Sequence, residues 1–263
     1  MIILLIYINK YTKQEYYTNY NKKISFCITC LNRFDQIKIV LPINLKKNIK
    51  YSKDIEFVLV NFIIDNEGKK IDKWIRKNLN SYIKSGYLKY YVTNKLKMWH
   101  APIAKNTSHI YSSGEIVYNL DCDNYVENKE IDYLLKLDLD NNIYYGWSGT
   151  WKDGTGGRVC TKRSKFLEIG GYDQNMLPSG YQDLDLLYRL KHYYNNNIII
   201  AYKNNIINKA IINDKELNTK FIKTDNSWQH MELNNKKRSK MRIKNNDFIN
   251  NHKLGVKATR IMI

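Results

Sequence analysis

The sequence has few residues that break regular structure, and it has no long apolar run. Only three prolines and twelve glycines occur in 263 residues, which argues against long disordered linkers. The apolar stretch over residues 1–8 is too short to span a bilayer. It also lacks the basic region and the cleavage site of a secretory signal. We interpret it as an edge segment or a poorly ordered start, with a short membrane-touching segment as the alternative.

Cysteines are also few, and their placement argues against a shared metal or a redox pair. The four are Cys27, Cys30, Cys122 and Cys160. The first two have C-x-x-C spacing but lie in an apolar run, residues 24–31, that is typical of a β-strand. Residues three apart in a strand point to opposite faces of the sheet. We therefore expect reduced, buried thiols in a reducing compartment.

The chain is long enough to bury a full core, and it is strongly basic. A length of 263 residues with 43% hydrophobic content predicts one large α/β domain. The net charge of +18 attracts polyanions, anionic membrane surfaces or phosphorylated substrates. The overuse of Asn, Ile, Lys and Tyr is typical of an AT-rich coding genome, of the giant-virus or AT-rich microbial type. The charge is therefore weak evidence for nucleic-acid binding, and we expect no specific nucleic-acid partner.

No transmembrane segment is expected, and the predicted location is cytoplasmic. For a viral protein this means the host cytoplasm or the viral factory.

The stretch over residues 114–124 is the most informative part of the sequence. An apolar, β-prone segment is followed there by Asp121 and Asp123. In an extended segment, side chains two residues apart point the same way, so the two carboxylates can converge. Two carboxylates at such a short separation need a cation between them or a proton on one of them. A hard divalent ion, with a bound diphosphate completing its shell, suits such a site. The alternative is a solvated turn after a strand.

Strands and helices alternate along the first half of the chain. Strands are predicted over residues 23–31, 54–62 and 87–92 and from 114, with helices over 35–45, 71–83 and 102–112. This alternation predicts an α/β fold with a mainly parallel sheet, whose ligands lie along its carboxyl edge. We divide the chain into an N-terminal segment (1–20), a core (21–202) and a basic C-terminal extension or lid (203–263).

The region after the acidic strand holds a helix, a strand and a glycine-rich loop. The helix is predicted over 128–137, the aromatic-rich strand over 143–149 and the loop over 151–158. The loop spacing matches neither a phosphate loop nor a dinucleotide-binding turn. It is either a flexible connection or a loop whose glycines let a sugar or phosphate approach the backbone. A short helix then ends at the glycine pair 170–171.

A turn at residues 178–180 leads into a helix predicted over 181–190. Asp183 lies in its first turn, where the helix dipole favours acids. Asp185 and Arg189 are four residues apart and predict a surface or structural ion pair. Asp183 lies on a different face, nearer the helix tip, and an acid there is most often only a helix-end residue.

The pattern weakens beyond residue 202 into a basic, Asn-rich stretch. The charge run over 236–240 most often indicates a solvated helix face. Trp228 and His230 stand out in this stretch. A lone histidine is usually structural or solvated, but one on a C-terminal lid can close over a metal and a diphosphate.

Three segments together resemble the GT-A nucleotide-sugar glycosyltransferases, mostly the family-2-like enzymes and the galactosyltransferase C-terminal-domain group. The first is residues 26–33, like the opening strand and T-x-x-N-R turn of the family. The second is Ala-Lys-Asn at 104–106, then Gly-Glu-Ile at 114–116 and Asp-Cys-Asp at 121–123, like the A-x-N helix and the D-x-D motif. The third is Gly-Gly-Tyr-Asp at 170–173 with residues 180–186, like G-G-(Y/F)-D-E and G-x-E-D-x-D-L. The resemblance covers about residues 24–190.

The resemblance implies a GT-A (Rossmann-like) fold and a metal-dependent transfer from a nucleoside-diphosphate sugar, of the UDP-sugar type, to a glycan or protein-linked acceptor hydroxyl. The implied metal is Mn²⁺ or Mg²⁺, held by Asp123 and Asp121, with His230 as a further candidate. The implied donor-binding residues are Thr29, Asn32, Arg33, Asn61, Asp65, Lys105, Asn106, Asp121, Cys122 and Arg158. The candidate acceptor residues are Trp147, Trp151, Tyr181 and Gln182.

Asp183 corresponds to the general base of inverting members of the family. The chain departs from the family at two places. Asn61 stands where family members usually have Asp, which bears on the choice of base. Gln182 replaces the usual Glu, which bears on acceptor recognition.

Two other classes of function compete with this one. A non-catalytic basic module on a degenerate fold would bind nucleic acid or another polyanion, with a steep salt dependence. Unmetallated carboxylates in the cleft would repel phosphates and argue against it. A nucleotide-sugar hydrolase or pyrophosphorylase on a related sheet is the third, although no phosphate-loop glycine pattern occurs near the N-terminus.

Overall fold

The computed structural model of the protein describes residues 20–211, 222 and 227–263. Residues 1–19 of the predicted N-terminal segment and part of the predicted C-terminal extension lie outside the described residues.

One mixed, eight-stranded sheet forms the centre of the molecule. The strands are β1 (Lys22–Cys30), β2 (Ile55–Phe62), β3 (Leu88–Thr93), β4 (Gly114–Asn119), β5 (Asn142–Tyr145), β6 (Val159–Lys162), β7 (Asn197–Ile200) and β8 (Thr259–Arg260). Their order in the sheet is β7-β5-β6-β4-β1-β2-β3-β8. The pairs β1–β2, β1–β4, β2–β3 and β5–β7 are parallel, and β6 and β8 run antiparallel to their neighbours. The predicted α/β class with a mostly parallel sheet is confirmed.

Helices flank this sheet. They are α1 (Phe34–Lys47), α2 (Asn66–Asn78), α3 (Asn80–Lys84), α4 (Ala101–Ile110), α5 (Asn128–Leu134), α6 (Arg163–Glu168), α7 (Gln182–Tyr194) and α8 (Trp228–Lys244). The single helix predicted over 71–83 is two helices. The first begins earlier than predicted because the Asp65 side chain accepts the backbone N–H groups of Glu67 and Gly68. Among the described residues, no helix has the length and apolar character needed to cross a membrane.

Apolar side chains pack on both faces of the sheet. On one face the Phe26 and Phe57 rings stack with centroids 5.2 Å apart. The two rings belong to a cluster of buried apolar side chains that also contains Cys30. Cys27 belongs to a second cluster, which contains Phe166. The prediction that Cys27 and Cys30 point to opposite faces is therefore confirmed, and all four cysteines are free and buried.

The chain leaves β1 towards β2 on one side, while β4 returns to pair with β1 on the other side. Cys27 lies opposite Asn119 in this pair, so both strands end at the same edge of the sheet. Such a point of reversal leaves a crevice outside the carboxyl ends of the strands. The acidic motif follows β4 directly and so lies at this crevice.

Candidate active site

The crevice holds a small polar cavity that combines residues from four parts of the chain. Its lining comprises Thr29, Leu31, Arg33, Trp99, Ala101, Lys105, Asp121, Cys122, Asp123, Ser179, Gln182 and Asp183. Eight of the residues proposed from the sequence are in this set. Leu31, Trp99, Ala101 and Ser179 were not proposed, although Leu31 lies within the 26–33 segment and Ser179 within the turn at 178–180.

Asp121 and Asp123 both face the cavity, but they do so from a turn. β4 ends at Asn119, and the N–H of Asn124 donates to the carbonyl of Asp121 at 3.0 Å, which closes the turn. Asn119 Nδ2 donates to Asp121 Oδ1 at 3.2 Å and to the carbonyl of Gly157 at 2.8 Å, which fixes the first carboxylate. The sequence predicted an extended backbone over residues 121–123, and this prediction is wrong. Both carboxylates nevertheless line the same cavity.

Burial, and then the charge of Asp121, raise the pKa of Asp123 to about 7. Its carboxylate accepts one hydrogen bond from Asn124 Nδ2 at 2.6 Å. A buried acid beside a like charge is stabilised by a cation at the same place. This donor set suits a hard divalent ion.

Within the described part of the chain, no three or more His, Cys, Asp and Glu residues cluster as a complete metal cage. An ion held by Asp121 and Asp123 would therefore share its remaining positions with water or an anionic ligand.

Lys105 joins the acidic turn to the start of α7. Its side chain, only 5% exposed, extends from α4. The ammonium Nζ lies 2.6 Å from Asp183 Oδ1 and 3.4 Å from Asp121 Oδ1. Burial would lower the pKa of Lys105, but the two carboxylates raise it. Lys105 is therefore a buried, charged link between the two acids.

Asp183 occupies the first turn of α7, and its side chain is 13% exposed. Burial raises its pKa to about 6, although the nearby Lys105 charge opposes this rise. Gln182 Nε2 also donates to Asp183 Oδ2 at 3.0 Å. A carboxylate held in this way is unprotonated near neutral pH and has a pKa suited to taking up a proton.

Gly157 makes room for this arrangement. A Cβ atom at this position would lie 2.5 Å from Asp121 Oδ2 and 3.1 Å from Lys105 Nζ. The glycine-rich loop thus places backbone directly against Asp121 and Lys105. That a sugar or phosphate approaches this backbone stays a prediction.

A second, larger groove of about 730 Å³ opens beside the polar cavity. Trp151, Gly154, Gly156, Ser179, Gly180, Tyr181, Gln182, Asp183, Leu184, Trp228, Gln229, Glu232, Leu233 and Lys236 line it. Ser179, Gln182 and Asp183 belong to both cavities. Asp183 therefore lies on the wall between a small polar cavity and a groove with aromatic walls.

Backbone conformation sets the position of this wall. Tyr181 precedes α7 with φ 63°, a left-handed conformation that is unusual for a residue with a large side chain. Gly180 before it has φ 88°, and its α-carbon lies so close to Glu232 of α8 that a Cβ atom would clash with the backbone there. The turn ending at Tyr181 thus brings α7 and α8 together around the groove.

Three of the predicted donor-binding side chains serve the fold. Arg158 is fully buried, forms an ion pair with Glu130, and donates to the Tyr118 hydroxyl at 2.7 Å and the Tyr125 carbonyl at 2.8 Å. Its predicted direct contact with the donor is therefore wrong, because every face of the guanidinium is committed to the core.

Asn61 and Asn106 need the same correction, since both side chains are fully buried. Asn61 donates to the Gly68 carbonyl and the Tyr90 hydroxyl. Asn106 holds the turn at Tyr172 by accepting from its N–H at 2.8 Å and donating to its carbonyl at 2.9 Å.

Four of the remaining predicted residues line neither cavity, and they are Asn32, Asp65, Trp147 and His230. Asn32 donates to the Asp65 carboxylate, which ties the turn after β1 to the cap of α2. Trp147 stacks on Trp151 with ring centroids 4.8 Å apart but does not line the groove. His230 is exposed in the first turn of α8 and lines neither cavity, so its role over a bound donor stays a prediction.

Comparisons with known proteins give a match in structure alone. No protein-family profile matches the sequence, and no curated protein is significantly similar to it. A mannosyltransferase from Pyrobaculum calidifontis, in complex with GDP-Man and Mn²⁺, superposes with a TM-score of 0.51 at 15% identity. That superposition covers 74% of this chain but only 61% of the mannosyltransferase.

Two further structures extend this result. The catalytic domain of Drosophila β1,4-galactosyltransferase 7, bound to xylobiose, gives a TM-score of 0.54 at 11% identity, covering 89% of this chain and 82% of that one. S. aureus TarS in complex with UDP-GlcNAc gives 0.54 at 12% identity, covering 80% and 69%. The protein therefore has the GT-A fold of nucleotide-sugar glycosyltransferases.

Proposed function

We propose that this protein is a metal-dependent glycosyltransferase that moves a sugar from a nucleoside-diphosphate sugar to an acceptor hydroxyl, with inversion at the anomeric carbon. The observation that supports it best is the position of Asp183 on the wall shared by the polar cavity and the aromatic-lined groove. A base in this position can reach an acceptor in the groove while the donor occupies the cavity.

The donor half of the proposal is supported by the acids and cations of the polar cavity. Asp123 and Asp121 would hold the Mn²⁺ or Mg²⁺ ion, whose chemistry when bound is to stabilise charge on the departing diphosphate. Arg33 lines the same cavity and offers a second positive charge to phosphate oxygens. Thr29 and Cys122, at the ends of β1 and β4, would border the nucleoside.

In the proposed reaction the acceptor oxygen attacks the anomeric carbon as the bond from that carbon to the diphosphate oxygen breaks. Asp183 takes the acceptor's proton. Lys105 holds the Asp183 carboxylate in place and keeps it charged, since an adjacent ammonium favours the ionised form. Direct displacement with a base on the acceptor side inverts the anomeric configuration.

The structurally similar glycosyltransferases were solved with GDP-Man or with UDP-sugars, so the identity of the nucleotide that this protein binds needs a direct test. We would measure thermal unfolding with a panel of UDP- and GDP-sugars, each with and without Mn²⁺. A ligand at about 100 times its dissociation constant stabilises by about 2.7 kcal/mol. Stabilisation that needs both a nucleotide sugar and Mn²⁺ supports the proposal. The absence of any such pair would contradict it.

A further inference from the structure

Four lysines on α8 form one stripe along the outer face of the helix. At 100° per residue, Lys236, Lys240, Lys244 and Lys237 lie within an arc of about 100°. The buried residues of α8 lie on a different side of the helix from these lysines. They are Met231, Asn235, Ser239 and Arg242. We call Lys236, Lys237, Lys240 and Lys244 the lysine stripe.

The lysines of the stripe differ in their charge contacts from the two arginines of the same helix. Arg238 and Arg242 of the same helix pair with Asp173 at 2.7 and 2.9 Å, and Arg242 also pairs with Asp247. Across residues 20–211, 222 and 227–263, the four lysines of the stripe form no ion pair with a carboxylate. All four are exposed. They therefore present a row of positive charge to whatever lies along this face.

The stripe continues the groove beside Asp183. Gln229 and Leu233 project within the same arc of α8 as the lysines. Both line the groove together with Lys236, and Leu233 is 51% exposed. From Lys236 to Lys244 the helix rises by about 12 Å. A chain whose end lies at Asp183 can thus leave the groove along the lysine stripe.

Charge changes sign along this path. The inner end of the groove contains the carboxylates of Asp183 and Glu232, which disfavour an acidic group beside the reacting hydroxyl. Beyond Lys236, the lysine stripe continues with Lys237, Lys240 and Lys244, all of which are exposed. An acceptor that fits both ends has an uncharged reacting sugar and acidic groups further along its chain.

We propose that the acceptor is an anionic glycan, whose acidic groups lie along the lysine stripe while its reacting end lies at Asp183. The inference rests on the proposed glycosyltransferase function, because that function makes the groove the acceptor site. It adds the chemical class of the acceptor and the surface that selects it.

The chain contains a matched control on α2. Lys69, Lys73 and Lys77 are exposed and also lie within about 80° of one helix face, but they do not line the groove. The test compares Lys237→Gln/Lys240→Gln/Lys244→Gln with Lys69→Gln/Lys73→Gln/Lys77→Gln. Both triple variants lose three positive charges, so an effect of net charge alone would be equal in the two.

The probe is a fluorescently labelled hyaluronan nonasaccharide, which ends in an uncharged N-acetylglucosamine and carries its acidic groups further along the chain. Its methyl ester is the uncharged control, and binding is followed by anisotropy at two salt concentrations. We expect the wild type to prefer the charged form and to lose affinity as salt rises. The α8 triple variant should bind at least about tenfold more weakly, with a smaller salt dependence. The α2 triple variant should bind like the wild type.

Three results would overturn the inference. They are equal affinity of the wild type for the charged and esterified probes, equal losses in the two triple variants, and tighter binding of a single-stranded oligonucleotide of the same charge. Mn²⁺-dependent binding of a nucleotide sugar, measured on the same preparations, separates the two proposals. If that binding is present without the preference for the acid, only the acceptor inference fails. If it is absent while the preference remains, the glycosyltransferase proposal fails.

Discussion

The two halves of the candidate site are built in different ways. In the proposed donor half, Arg33, Asp121 and Asp123 follow β1 and β4, two neighbouring parallel strands, and residues from α4 and from the start of α7 complete the cavity. The acceptor half combines Trp151 from a loop, Tyr181 from the turn before α7 and Trp228 from α8. For the residues that follow β1 and β4, position in the sequence almost determines position in space. In the second half, residues far apart in the sequence meet only through tertiary packing.

Asp183 and Lys105 connect the halves. Lys105 belongs to the helix between β3 and β4, whereas Asp183 belongs to the helix that forms the groove, and their side chains are 2.6 Å apart. A comparison of variants in each half, and at this junction, therefore tests whether the division into donor and acceptor halves is real.

The largest effect is expected at the junction. Asp183→Asn should lower transfer by roughly 10² to 10⁴ while leaving Mn²⁺-dependent donor binding nearly intact, because a base acts only on the acceptor's proton. Transfer is measured with a confirmed acceptor, and donor binding by calorimetry. Near-normal transfer, or a product that retains its anomeric configuration, would show that Asp183 is not the base.

The second prediction concerns a residue that sequence alone assigned to the donor half. Arg158→Met should destabilise the protein by about 3–5 kcal/mol, because it leaves the buried Glu130 carboxylate without its cation. Urea unfolding measures the change. The control is Arg158→Met with Glu130→Leu, which should recover part of the loss. If the Arg158→Met protein is as stable as the wild type but binds the donor more weakly, Arg158 contacts the donor and the correction made above is wrong.

Arg158 also shows what the sequence can and cannot predict. The strands β1 to β4 and the position of the two acids after β4 were predictable, because apolar runs and helix periodicity are local signals. The exposure of a side chain is not local. Arg158 is the last residue of a glycine-rich loop that approaches the cavity at Gly157. The Arg158 side chain nevertheless lies in the core.

The elements that the sequence did not predict have only a weak periodic pattern of apolar residues. β6 and β7 are four residues each, too short for a clear alternation, and β8 has two residues. α8 carries lysines and asparagines around much of its surface, so its buried face at Met231, Asn235, Ser239 and Arg242 leaves only a weak apolar period. Polar contacts hold α8 to the turn before α7, where Asn235 Nδ2 donates to the carbonyls of Leu177, Ser179 and Gly180.

The third prediction tests the donor half by itself. Asp123→Ala should weaken Mn²⁺-dependent binding of the nucleoside diphosphate by at least roughly 100-fold, because losing even an outer-shell partner of a metal ligand costs about 10- to 100-fold and this change removes a direct ligand. In the wild type, the metal must displace a proton from Asp123 below pH 7. Mn²⁺ affinity should therefore fall as pH decreases through the pKa of about 7, by up to about tenfold per unit. Titration calorimetry from pH 5.5 to 8.5 measures both effects.

The same pKa predicts the sign of a change in stability without metal. A carboxyl whose pKa is raised on folding contributes stability that is present below its unfolded value and lost as pH rises through about 7. Asp123→Asn should thus unfold at a higher urea concentration than the wild type at pH 8 and show little difference at pH 4. Unchanged stability at pH 8 would mean that the acidic turn is solvated.

The smallest effect is expected in the acceptor half. Trp151 is 53% exposed at the groove, and its ring is supported by Trp147 on one side and by Gly156, where a Cβ would lie 2.8 Å from the ring. An exposed, supported indole offers an apolar face to a sugar ring, so Trp151→Ala should raise the acceptor KM roughly tenfold and leave the donor KM unchanged. Trp99 lines the polar cavity instead, and Trp99→Ala should raise the donor KM alone. Steady-state kinetics with each substrate varied separately distinguishes the two variants. If both variants change the same KM, the polar cavity and the groove bind one ligand, and the division into a donor half and an acceptor half is wrong.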